Sequence, residues 1–113
     1  MSQDYTLGQL PYLVEVDETQ RTWTLERTIR YRLVHLSHEA DGVTGTGTGT
    51  GNTSDIIFDL SAGTASVDAD YTPQEGKIIL QSGKEVVLPA NVTSLRAVSV
   101  SGSVAVQVIP HWV

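Results

Sequence analysis

A chain of 113 residues, 40% of them hydrophobic, has the size and composition of one globular domain. Its net charge of -6 argues against a counterion-releasing nucleic-acid surface, and the lack of cysteine excludes disulfides, thiolate metal sites and cysteine nucleophiles. No stretch approaches the roughly 18 apolar residues of a membrane-spanning helix, and Met1-Ser2-Gln3-Asp4 has neither the basic start nor the apolar core of a secretory signal, so cytoplasmic synthesis without a membrane anchor is expected.

The dominant residues are valine (14) and threonine (13), both β-branched and suited to strands. Residues 1–20 read as an extended N-terminal arm. Leu10-Pro11 is biased away from helix, because the proline ring crowds the residue before it. Tyr5, Leu7, Leu10, Tyr12, Leu13, Val14 and Val16 make the arm apolar, so it must be covered. It either adds a strand to its own sheet or docks on a neighbouring subunit. In the second case its removal would leave the β-fold intact.

The domain proper is expected over residues 21–113. Between Thr22 and Glu39, the apolar odd positions Trp23, Leu25, Ile29, Tyr31 and Leu33 alternate with the polar even positions Thr24, Glu26, Thr28, Arg30 and Arg32. A period of two predicts one long, half-buried strand. Arg27 breaks the apolar side, which a bulge or an edge position would explain. Beyond Leu33 the apolar character passes to Val34 and Leu36, which predicts a bend or bulge near Val34.

Residues 44–51 alternate threonine and glycine, a composition for a loop and not for a helix or core strand. Ile56-Ile57-Phe58 predicts a short strand, and Ala65 to Ala69 a further one, followed by a turn at Thr72-Pro73-Gln74-Glu75-Gly76. From Lys77 onward, valine-rich segments are cut by Ser82-Gly83 and Ser101-Gly102, which predicts strands joined by tight hairpins. With a three-residue loop, Ser101-Gly102-Ser103, the last hairpin would oppose Val100 to Val104. Val98, Val100, Val104, Val106 and Val108 would then share one face. The expected fold is all-β: an antiparallel β-sandwich or small barrel of about seven or eight strands, with no helix.

Candidate chemistry is sparse. His35-Leu36-Ser37-His38-Glu39-Ala40-Asp41 gathers possible metal ligands, but positions 35 and 38 of a strand point to opposite faces, and the helical zinc spacing of His at i and i+4 is missing. Ten serines and three histidines allow a triad in composition only; no Gly-X-Ser-X-Gly elbow occurs. The Gly-Thr tract lacks the lysine of a phosphate loop. Asp55, Asp59, Asp68 and Asp70 lack calcium-loop spacing and read as turn and surface residues. Asn52-Thr53-Ser54 and Asn91-Val92-Thr93 match the glycosylation triplet, a pattern common by chance. The sequence therefore predicts no enzyme, no cofactor and no metal.

Binding residues are easier to nominate. Arg30 and Arg32 share a strand face and suit either an acidic partner or cross-strand pairing with acidic neighbours in their own sheet. Trp23 and Tyr31 belong to the apolar side and are expected in the core. Trp112, one residue from the end, needs something to receive its indole. Tyr5, Leu7, Leu10, Tyr12, Leu13, Arg30, Arg32 and Trp112 are thus the interface candidates.

The stretch from Gly76 to Leu88, the segment Val92 to Ser103, and Val106-Gln107-Val108 resemble a module of small tailed-bacteriophage virion proteins. In that module a Leu-X-X-Gly turn leads to an apolar strand, and a segment ending in a Ser-Gly hairpin and a Val-X-Val strand then follows. The resemblance covers about a third of the chain and leaves the Gly-Thr half unmatched. It implies a non-enzymatic structural role in the virion, assembled in the host cytoplasm, as a capsid-decoration, head-completion or neck protein. It also implies a homo-oligomer that binds major capsid or neck subunits and neither nucleic acid nor membrane. A carbohydrate-binding module of a host-recognition fibre is the alternative, with Trp112 as its exposed aromatic.

Overall fold

The computed structural model describes residues 4–39, 51–60, 67 and 69–112, with Trp112 described for its backbone alone. Among the described residues, nine strands run in chain order: β1 (Tyr5–Thr6), β2 (Tyr12–Val16), β3 (Arg21–Thr24), β4 (Ile29–His35), β5 (Ile56–Asp59), β6 (Lys77–Leu80), β7 (Glu85–Val87), β8 (Ser94–Ser99) and β9 (Val104–Trp112). They form a five-stranded sheet in the order β1-β3-β8-β5-β6 and a four-stranded sheet in the order β2-β9-β4-β7. All pairings are antiparallel except β1 with β3, where Tyr5 lies opposite Trp23 and Thr6 opposite Thr24.

The expected all-β sandwich is therefore present, and its connectivity is specific. Seven of the eight connections cross from one sheet to the other; β5 to β6 alone stays within a sheet. Without β1, the orders β2-β9-β4-β7 and β3-β8-β5-β6 are those of an eight-stranded jelly roll, two interleaved Greek keys.

This connectivity corrects three expectations. The long alternation from Thr22 is two strands, β3 and β4, in opposite sheets. The corner between them is closed by the Ile29 amide donating to the Glu26 carbonyl at 3.2 Å. Arg27 is exposed in that corner and causes no bulge. The alternation survives the corner because both strands turn the same side chains toward the space between the sheets: Trp23, Ile29, Tyr31 and Leu33 are all buried. Nor does the phase change at Val34. His35 continues the inward series at 1% exposure, and Val34 is an outward, half-buried residue.

Neither Ser-Gly pair makes a hairpin. Ser82-Gly83 carries the chain from β6 in one sheet to β7 in the other, and Ser101-Gly102 does the same from β8 to β9. Gly83 and Gly102 have φ values of 72° and 68°, which explains glycine at both corners. Val104, Val106 and Val108 do share the inner face. Val98 lies on the opposite side of its own sheet, in a separate small cluster with Ile57 and Val67, against which Val100 packs. The strand expected at 65–69 falls mostly outside the described residues, as does the Gly-Thr tract at 44–50. Val67 is described and is not in a strand.

The core is aromatic at its centre. Trp23 stands edge-on to Phe58 (centroids 5.4 Å apart) and to Tyr5 (6.3 Å), and Tyr5 stands edge-on to Tyr12 (5.6 Å). Such pairs contribute about 0.5–1.5 kcal/mol each beyond simple burial. β5 is buried on both faces, all four residues included, and Val67 packs with Ile57 and Val98 on its outer side.

Of the expected arm, residues 5–16 are built into the sandwich as edge strands. β1 extends the five-stranded sheet and β2 the four-stranded one. The Leu7 amide donates to the Thr24 carbonyl at 2.8 Å, the Thr22 amide to Asp4 Oδ1 at 2.9 Å, and the Glu15 amide to the Tyr5 hydroxyl at 3.1 Å. Removing residues 1–16 would strip Tyr5, Leu7, Val14 and Val16 from the core, so the fold would not survive the deletion intact.

Candidate interaction surface

The outer face of the four-stranded sheet carries three of the eight interface candidates, Leu13, Arg30 and Arg32. Strand register defines its rows. Leu13, Gln107, Val34 and Glu85 lie side by side across β2, β9, β4 and β7; Ile109, Arg32 and Val87 form the next row; His111 and Arg30 form the one after. Leu13 (57% exposed) and Val87 (49%) are its most open apolar residues, and Leu10 (77%) lies in the connection that leads into β2. Tyr12, 44% exposed, sits at the lip of the sandwich against the Tyr5 ring.

The candidates separate into three groups. Tyr5 and Leu7 are buried in the chain's own core and offer no surface to another chain in this conformation. Burial raises the pKa of the Tyr5 hydroxyl above its usual value, against the opposing hydrogen bond from the Glu15 amide. Tyr12, Leu13, Arg30 and Arg32 lie on one sheet, on β2 and on β4 with β9 between, and Leu10 lies in the connection before β2. Trp112 reaches the same sheet at the position opposite Ile29.

The two arginines differ. Arg32 Nη1 lies 3.8 Å from Glu85 Oε2, a cross-strand diagonal pair with both side chains partly exposed. A pair of that kind contributes about 0–1 kcal/mol. Arg30 is exposed, one row beyond. Sequence reasoning missed Val87. Its signal was available: in Val86-Val87, two adjacent valines in one strand must point to opposite faces, and Val86 takes the core side.

The histidine cluster has a different use. Ser37 N–H donates to His35 Nδ1 at 3.0 Å, so Nδ1 accepts, and Nε2–H donates to the Ser54 carbonyl at 2.7 Å. His35 therefore ties the end of β4 to the approach to β5. Ser37, at φ 62°, bonds through its hydroxyl to the Ser82 hydroxyl at 2.6 Å, and its carbonyl accepts from the Asn52 amide at 3.0 Å. The Asn52 side chain donates to the carbonyls of Ser101 (3.0 Å) and Ser103 (2.8 Å) and accepts from the Ser54 amide at 2.9 Å. His38 bridges Gly51.

These bonds join three corners of the sandwich around the two feet of the Gly-Thr segment. They also occupy both donors of the Asn52 amide, which leaves the first glycosylation triplet no free nitrogen in this conformation. Among the described residues, no group of three or more His, Asp or Glu side chains is placed to hold a metal ion. Asp55 accepts from the Tyr71 hydroxyl at 2.5 Å, which raises the tyrosine pKa; Asp70 is held below the usual carboxylate range chiefly by the Thr72 amide, with Lys77 3.5 Å away.

No protein-family model matches the chain, and no curated protein matches it.

Proposed function

We propose that this chain is a non-enzymatic structural protein of a tailed-bacteriophage virion, binding capsid or neck subunits through the outer face of its four-stranded sheet. The observation that carries the reading is the outer face of this sheet, where exposed Leu13 and Val87 stand at opposite edges with Arg30 and Arg32 on β4 between them, and exposed Leu10 lies in the connection that leads into β2. Apolar anchors ringed by polar side chains and arginine are the make-up of a protein interface. The resemblance of residues 76–108 to small virion proteins supplies the identity of the partners. The jelly roll fits, since that topology serves viral capsid proteins, although it also serves lectins and cupins and so argues by analogy alone.

The test uses particles purified from the lysate of cells that carry the coding sequence. Mass spectrometry should find the chain in them at a fixed ratio to the capsid subunit. A Leu10→Asp/Val87→Asp variant should fold, by circular dichroism, and be lost from the particles. A chain absent from particles, or a variant that still incorporates fully, overturns the proposal. Binding on a glycan array that is lost with Trp112→Ala would favour the fibre module instead.

A further inference from the structure

We infer that two copies of this chain pair through the free edge of β2, antiparallel and centred on Leu13. The inference stands apart from the particle reading, since it requires no other virion protein.

The edge is defined by hydrogen-bond parity. In an antiparallel ladder, the N–H and C=O of one residue point to the same side, and successive residues alternate sides. On β9, Ala105 bonds toward β4: the Leu36 amide donates to its carbonyl at 3.2 Å, and its own amide donates to the His38 carbonyl at 2.9 Å. The even residues of β9 therefore bond to β2, through Val104↔Val16, Val106↔Val14 and Val108↔Tyr12. Leu13 and Glu15 turn their backbone groups away from β9, and the Glu15 amide, bonded to the Tyr5 hydroxyl, confirms the parity.

That edge is short by construction. Two residues before Leu13 stands Pro11, which has no N–H to donate. Two residues after it, the Glu15 N–H is already taken by Tyr5. Leu13 alone presents both a donor and an acceptor. A twofold axis through Leu13 pairs these with the same groups of a second copy. It sets Pro11 of each strand opposite Glu15 of the other, so no N–H is stranded. The pairing admits one register and closes on itself, giving a discrete dimer where a longer free edge would invite open-ended growth.

Side chains favour a copy of the same chain as the occupant. From Gln9 to Val14 the segment has no charge, so self-association avoids the repulsion expected from a net charge of -6. Leu13, 57% exposed, would lie directly opposite its twin on the outer face, with Leu10, 77% exposed, flanking the pair. The other edges suit this less well: β1 has two residues, β6 begins at Lys77, and β7 begins at Glu85 directly after Lys84.

Proline scanning separates edge from ladder. Because the Leu13 N–H bonds nothing in its own sheet, Leu13→Pro should leave the circular-dichroism spectrum unchanged. Val14→Pro removes a ladder bond to β9 and should unfold the chain. In analytical ultracentrifugation from micromolar to millimolar concentration, the wild type should shift from monomer to dimer, and Leu13→Pro should stay monomeric. Should Leu13→Pro misfold, Leu13→Lys keeps the N–H and sets two ammonium groups face to face, with the same expected loss of dimer. Leu13→Cys provides a positive readout, since the chain has no other cysteine and Cα atoms of a hydrogen-bonded pair, about 5.5 Å apart, lie in disulfide range. Under mild oxidation it should cross-link much faster than Val87→Cys on the opposite edge of the same sheet. A wild type that is monomeric throughout, a dimer that survives in folded Leu13→Pro or Leu13→Lys, or equal cross-linking of the two cysteines would overturn the inference.

Discussion

Tyr31→Phe tests how the N-terminal segment is held. The Tyr31 ring is 1% exposed and stays in place in the variant, so the change removes one oxygen and little else. That oxygen lies 3.2 Å from the Leu7 carbonyl and 3.1 Å from the Gly8 carbonyl, sharing its proton between them, and accepts from the Glu26 amide at 3.3 Å. It thus links β4 to the β1–β2 connection and to the β3–β4 corner at once. Glu26 is exposed, so water can replace part of its bond, at a net cost of about 0.5–1.5 kcal/mol. The Leu7 carbonyl belongs to a buried residue, and stranding it costs about 1–3 kcal/mol. The variant should therefore lose about 2–3 kcal/mol in urea unfolding, a large share of the roughly 5–15 kcal/mol that holds a domain together. Native-state hydrogen exchange should localise the loss, because the Leu7 amide is bonded to the Thr24 carbonyl and should become labile before the core strands do. A cost under about 0.5 kcal/mol, which is within the range of neutral surface substitutions, or unchanged protection of Leu7, would refute the assignment of Tyr31 as the clamp.

Burial is the largest cause raising both the Tyr5 and Tyr31 pKa values above the ordinary 10.0. The neutral forms are favoured in the folded state, so their contribution is complete below pH 10 and is lost as pH rises through the raised values. Stability should thus be flat toward pH 10 and fall beyond it, and pH-jump fluorescence should show a shallower fall in Tyr31→Phe. Gly102→Ala should cost about 1–2 kcal/mol or more, because its φ is 68° and the new Cβ would meet Asn52 Nδ2 at 2.9 Å; in a double-mutant cycle with Asn52→Ala the two losses should be less than additive. His35→Leu strands the Ser37 amide and the Ser54 carbonyl at about 1–3 kcal/mol each, so its melting temperature should fall while its circular-dichroism spectrum keeps the β signature.

Fold class was legible because one face of each sheet is buried, which imposes a two-residue period on most strands. That period does not say which sheet a strand joins. Trp23 and Leu33 are in phase although they belong to different sheets, since the corner at residues 25–28 leaves both facing the same interior. The same ambiguity explains the Ser-Gly corners. A glycine at positive φ reverses a chain within one sheet or swings it across to another, and local sequence is alike in both. Distant pairing decides between them: β8 is satisfied by β3 and β5, and β9 by β2 and β4, so the two have no edges left for each other. The structural use of His35 was hidden for a related reason. A histidine after Leu33 looks like the end of an apolar run, and its bonds to Ser37 and Ser54 become visible only once the approach to β5 is folded beside it.

The interface candidates divided along the same physical line. Apolar character showed that residues 5–16 must be covered, and could not show by what. In Tyr5, Leu7, Val14 and Val16 the cover is the chain itself. In Leu10 and Leu13 no described residue supplies it, and both remain more than half exposed. Alternation alone would have separated Leu13 from Val14. It fails for Leu10 and Leu7, which lie in the connection outside any strand, where no regular period applies. What an isolated sequence conceals is therefore the destination of each apolar residue. A free strand edge is one of the few places where the folded chain still advertises an unmet destination, and on β2 that place has shrunk to Leu13, between a proline and an amide already claimed by Tyr5.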